Sequence, residues 1–142
     1  MAMSGAIYVA LFFTVALLVV TAYSLLGALP LLILKHDTPL DSRFIRAFFN
    51  TYYLVAMVVA AGASVSYVFS ARPLFATGAA AIALLAAFLR ARLINTMDVL
   101  RVQIQASDAG AIRKFRRLHI GALLINFAQL VVVLSSLGTL SP

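Results

Sequence analysis

Long apolar runs, rather than short alternations, set the pattern of this chain. Four are marked by it: Ala6 to Leu34, Ala47 to Phe69, Leu74 to Leu89 and Ile120 to Leu137. Each is near the length, about 20 residues, that an α-helix needs to cross ~30 Å of hydrocarbon. The third is short, but Arg90 and Arg92 can snorkel from its end and let the helix sit lower in a bilayer. The apolar period persists past it through Leu93, Ile94, Met97, Leu100, Val102 and Ile104, which predicts a helix running on to about residue 105. The fold class expected is all-α: one integral membrane domain over 1–142, an antiparallel four-helix bundle with helices at about 6–34, 39–70, 73–106 and 108–137.

The polar punctuation sharpens the boundaries. Pro30 removes an amide near the end of helix 1, predicting a kink, and Lys35-His36-Asp37 ends that helix in a turn. Thr38-Pro39-Leu40-Asp41 reads as a helix start, with Thr38 accepting exposed amides, Pro39 in the first helical position and Asp41 reaching back as in a capping box. Ala71-Arg72-Pro73 predicts a tight turn into helix 3. Ser107 is expected to cap helix 4, and Gly138 to end it.

Composition moves the reading away from a soluble domain. The chain is 64% hydrophobic, with a mean hydropathy of +1.08, far above ordinary globular proteins. The first apolar run is too long for a signal-peptide core and lacks a basic region before it, so it is expected to stay as a membrane helix. The net charge of +7 does not indicate nucleic acid, because of where the charges fall. Every basic residue except Arg72 lies in or beside the first and third connections, which four spans place on one side. Basic loops stay in the cytoplasm, so both termini are expected outside, in the periplasm of a bacterial inner membrane protein. Arg113, Lys114, Arg116 and Arg117 sit where positive charge opposes the dipole of helix 4. They are expected to meet lipid headgroups and to set topology.

In lipid, helices associate through small residues and polar side chains rather than through burial of leucine. Ala10, Thr14, Thr21, Ser24 and Ala28 share one face of helix 1, interrupted by Leu17. Ala56, Ala60 and Ser64 form a small face on helix 2, and Gly78, Ala79, Ala83 and Ala86 supply one on helix 3. Phe12, Phe13, Phe48, Phe49 and Tyr52 are expected to point outward, toward lipid or a partner. Arg92, Asn95 and Asp98 fall within roughly a 120° arc of helix 3. Arg116, His119, Asn126 and Gln129 share a face of helix 4, and Asn50 and Tyr53 lie at a similar depth on helix 2. Polar groups at such depth are costly unless paired, so the three sets are expected to meet in one inward cluster.

Two readings of that cluster follow: a hydrogen-bonded network joining helices, or a binding or proton-handling site with His119 as the titratable group. No cofactor is expected. With His36 in a turn, the chain lacks two histidines on facing helices for haem and a full ligand set for a metal. Cysteine is absent, which removes thiolate, iron–sulfur and disulfide chemistry. No nucleotide-binding loop, HExxH or GxSxG motif is present.

The segments Arg92-Leu-Ile-Asn95-Thr-Met-Asp98, Ser107-Asp108-Ala-Gly-Ala, Phe115-Arg-Arg-Leu-His119 and Leu124-Ile-Asn126-Phe-Ala-Gln129-Leu carry a resemblance. They look like the bacterial four-helix membrane proteins of unknown function grouped with eukaryotic transmembrane protein 205. That resemblance, clearest from about residue 90 to 137, implies a four-helix membrane fold with a polar residue near the end of helix 3 and a His and an Asn on helix 4, here Asn95, His119 and Asn126, and implies no particular activity. A second resemblance, to membrane proteins related to anthrone oxygenases, implies a cofactor-free oxygenase. It ranks lower because the tryptophans of that family's fourth helix have no counterpart here. The functions expected are an accessory subunit packing against a larger membrane complex or self-associating, or a protein binding lipid or a small hydrophobic ligand through His119 and Asn126, or the oxygenase.

Overall fold

A computed structural model describes the backbone of residues 2–140 and the side chains of 5–139. Among the described residues all regular structure is helical: α1 (Ala2–Ala28), α2 (Pro39–Phe69), α3 (Pro73–Gln105) and α4 (Ala109–Leu140), with a 3₁₀ turn at Pro30–Ile33. All four helices are long and apolar enough to cross a membrane.

Pro30 does more than kink helix 1. Having no amide, it leaves the Leu26 carbonyl without a helical donor, and the last α-helical bond runs from Leu29 N to Leu25 O at 3.0 Å. The chain then tightens, with Leu32 N donating to Leu29 O at 3.1 Å and Leu34 N to Leu31 O at 3.2 Å. The amide that an unbroken helix would give to Ala28 is thus diverted. Beyond the turn His36 adopts φ 63°, a left-handed conformation that costs an L-residue roughly 1–2 kcal/mol.

At the start of α2, Thr38 Oγ1 accepts from Asp41 N at 3.2 Å, and only this half of the expected capping box is formed. The turns after α2 and α3 share one geometry. Arg72 N reaches back to Tyr67 O at 3.0 Å and Ala71 N to Val68 O at 3.1 Å, while Asp108 N reaches Gln103 O at 3.2 Å and Ser107 N reaches Ile104 O at 2.9 Å. Both are Schellman closures, with Ala71 (φ 56°) and Ser107 (φ 61°) in the position glycine usually takes. Ser107 therefore closes α3 rather than capping α4. Asp108 is the cap, its Oδ1 accepting from Gly110 N at 2.8 Å and Ala111 N at 3.3 Å. Gly138 does not end α4, which continues to Leu140.

The small face of α1 is buried along its whole length: Ala10, Thr14, Leu17, Thr21, Ser24 and Ala28. Partners on α4 fall in number as those on α1 rise, from Thr21 with Gln129, through Ser24 with Asn126, to Ala28 with His119. Two apolar clusters result. The larger gathers Ile45, Phe49, Tyr53, Met97, Phe115 and Leu123 among others, and the smaller surrounds Ala63, Tyr67 and Ala79. Gly62 matters in the contact of α1 with α2, because a Cβ there would lie 2.7 Å from the Phe13 ring. Of the five aromatics expected to face outward, Phe12 does, at 68% exposure, whereas Phe49 and Tyr52 are buried. Phe13 and Phe48 are half-buried, packed against the clusters. Phe49 lies on the α2 face that meets His119, which the simple outward reading missed.

Candidate functional site

The polar residues separate into two groups instead of one. The first is a ladder between α1 and α4, joined by Tyr52 of α2. His119 is fully buried, and its Nε2 lies 3.1 Å from the Ala28 carbonyl that the Pro30 break has released. A carbonyl only accepts, so Nε2 carries the proton and the neutral ring presents Nδ1 as an acceptor. His36 fills that position, its Nε2 donating to His119 Nδ1 at 2.8 Å.

His36 thus belongs to the site: it lies in a turn, as expected, but that turn carries it onto His119. It is as fully buried as His119. Phe49 and Phe115 wall the pair, with ring centroids 5.4 Å from His119 and 6.1 Å from His36 respectively. The remaining nitrogen, His36 Nδ1, is buried without a hydrogen bond. Burial lowers the pKa of His36 below its ordinary 6.5, against the raising effect of the nearby Leu34 carbonyl. Arg116 lowers it further, while Asp41 and Asp37 raise it. Arg116 also donates from Nη2 to the Leu32 carbonyl at 3.2 Å, a second tie between α4 and the broken end of helix 1.

Further along the ladder, Asn126 Nδ2 donates to Ser24 Oγ at 3.3 Å, and Asn126 Oδ1 is buried without a partner. Gln129 Nε2 bridges Thr21 Oγ1 at 3.2 Å and Tyr52 Oη at 3.1 Å. Thr21 directs its own proton to Leu17 O at 2.7 Å, while Tyr52, accepting from Gln129, keeps a proton to donate. Tyr53 stacks on Phe49, with centroids 6.2 Å apart, and its hydroxyl is buried without a partner.

The second group lies between α2 and α3. Asp98 accepts from Arg46 Nε at 2.9 Å and Arg46 Nη2 at 3.0 Å, a bidentate pair, with Arg101 at 3.5 Å. Arg90 Nε donates to Asn50 Oδ1 at 3.1 Å. Arg92 is exposed, its guanidinium 5.9 Å from the Phe88 ring centroid, and Asn95 is exposed. Neither Arg92, Asn95 nor Asp98 touches His119, because the inner face of α3 is taken by Ile94, Met97 and Leu100. Arg113, Lys114, Arg116 and Arg117 are exposed on α4.

One cleft opens onto the ladder. It lies between α1 and α2, about 560 Å³ in volume, walled by Val19, Val20, Tyr23, Phe44, Phe48 and Val55, with Ser24, Thr51 and Tyr52 supplying hydroxyls. Sequence reasoning missed it, since the wall residues are ordinary membrane-helix residues. The signals were the run of Ser24 and Thr21 along a small face and the hydroxyl of Tyr52. Among the described residues no cluster of three or more histidine, cysteine or acidic side chains gathers around a common point.

Over the described residues these features define an all-helical protein with four helices long and apolar enough to span a membrane. The chain matches no family model, no curated protein and no solved structure.

Proposed function

We propose that this is an integral membrane protein of the bacterial inner membrane that takes a small hydrophobic molecule from the bilayer into the cleft between α1 and α2. In this reading the bundle is antiparallel, its basic connections lie in the cytoplasm and its termini outside. The opposed run of partners along α1 and α4 and the one-sided charge support that arrangement.

The observation that carries the reading is the join between cleft and ladder. Ser24 and Tyr52 line the cleft and are held by Asn126 and Gln129 behind it. Apolar walls with a few fixed polar groups are the ordinary composition of a small-molecule site, and the volume lies in the usual range of about 300–1,000 Å³. The occupant suited to it is largely apolar, with an oxygen that accepts from Tyr52 or Ser24. His119 and Asn126 then act behind the site, fixing α1 against α4, rather than touching the ligand.

Ala47 lines the cleft, is exposed and takes no part in the ladder, so Ala47→Trp fills the space without breaking a hydrogen bond. Native mass spectrometry of protein purified in mild detergent should find a molecule of discrete mass retained by the unaltered chain. Ala47→Trp should retain at least tenfold less, with an unchanged unfolding temperature. Equal retention by both, or migration of the chain within a stoichiometric larger assembly whose partner covers the cleft, contradicts the proposal and favours an accessory subunit.

A further inference from the structure

The α2–α3 cleft has different chemistry. It measures about 350 Å³ and is lined by Arg46, Asn50, Arg90 and Asn95 over an apolar floor that includes Met57 and Ile94. Arg46 is neutralised by its bidentate pairing with Asp98. Arg90 has no acidic partner within salt-bridge distance among the described residues.

The Arg90–Asn50 bond fixes what remains. An arginine Nε only donates, so Asn50 contributes its Oδ1, and its amide nitrogen is left as a pair of donors. With Nε engaged, the terminal nitrogens of Arg90 form a free fork, held in orientation by Asn50. Asn95 adds a further amide at the rim. The cleft therefore presents a fixed positive charge and a surplus of donors, the complement of an anion with several oxygens.

Depth narrows the class of anion. Arg90 is about 17 residues along α3 from Pro73, or roughly 26 Å of helix, close to the full ~30 Å of hydrocarbon. The donors thus sit at the phosphate level of the basic side, above an apolar floor. We propose that this cleft is a binding site for a phosphate-bearing anion, gripped by Arg90 with Asn50 and Asn95. A phospholipid headgroup and a soluble phosphate share that chemistry.

The test uses the full chain in mild detergent and two probes. Dioleoylphosphatidylglycerol, with phosphate-free diglucosyl diacylglycerol as control, is followed by native mass spectrometry, and inorganic phosphate by its effect on the unfolding temperature. Arg90→Gln keeps a donor for Asn50 near the position of Nε but removes the charge and the terminal fork. It should lower phosphatidylglycerol retention about tenfold, while Arg92→Gln, one exposed cation away, leaves it within about twofold. Stabilisation of the unaltered chain by inorganic phosphate, lost in Arg90→Gln and without selective lipid retention, also supports the site and assigns a soluble source. Should Arg90→Gln fail to give monodisperse protein, Asn95→Ala carries the test, with a loss of about threefold expected. Equal losses in Arg90→Gln and Arg92→Gln, no preference for phosphatidylglycerol over the sugar lipid combined with no phosphate effect, or no loss in Asn95→Ala in that case, would overturn it.

Discussion

His36 is a non-glycine residue in left-handed backbone, fully buried, whose imidazole donates to a second buried imidazole. Strain of that kind persists when surrounding contacts hold it, and here the holding contact is His119. Because burial depresses the pKa of His36 below 6.5, the docked segment binds fewer protons than the undocked one as pH falls through that value. The docking stability is therefore fully present above about pH 6.5 and is lost progressively below it. Unfolding temperature should fall between about pH 7.5 and 5.5, and His36→Asn should make that fall shallower, the remainder belonging to the buried imidazole of His119; a profile unchanged by the substitution would contradict the assignment. Deeper in the ladder, Gln129→Leu loses two hydrogen bonds and should cost about 1 kcal/mol. Asn126→Leu should cost less, since it loses one longer bond and also removes an unpaired buried carbonyl. Titrated unfolding in mixed micelles measures both. His119, Asn126 and Gln129 were legible because polar residues at membrane depth stand out against leucine and valine. Their partners were not, because a carbonyl released by Pro30 and a histidine carried in by a turn have no periodic signature.

At the scale of elements, Pro30 makes the ladder possible. It ends α1 early enough to expose the Ala28 carbonyl and redirects the chain so that His36 meets α4. Pro30→Leu restores an amide and permits Leu32 N to return to Ala28 O, in competition with His119. The expected outcome is a longer helix 1 and a displaced His36, read as faster carbethoxylation of His36 by diethylpyrocarbonate; unchanged reactivity would count against the mechanism. Helix existence was legible from run length, and the α1 face from the spacing of its small residues. The failures lay where two elements decide jointly. Ser107 has the identity of a helix start, but the closure of α3 takes it and leaves capping to Asp108. Phe49 sits among lipid-suited aromatics, but its side of α2 covers the histidine pair.

At the scale of the whole molecule, the polar residues around the candidate site fall into two seams, a ladder of imidazole, amide and hydroxyl between α1 and α4 and an ionic group between α2 and α3, and a separate hydroxyl pair, Thr14 with Tyr67, joins α1 to α2 at 2.7 Å. Charge order along the chain predicts cations on one side, whereas pairing across helices separates residues that the sequence groups by depth, since they do not share a face. The cleft between α1 and α2 is the feature that turns this architecture into a proposal about function, and photocrosslinking tests it most directly. Benzoylphenylalanine at Tyr23, an exposed aromatic already on the cleft wall, is compared in native membranes with the same group at Val58, an exposed position of α2 outside the cleft. Tyr23 is predicted to give one dominant adduct of discrete small-molecule mass, and Val58 the spread of bulk lipids. The same spread at both positions, or a protein adduct at Tyr23, would contradict the site.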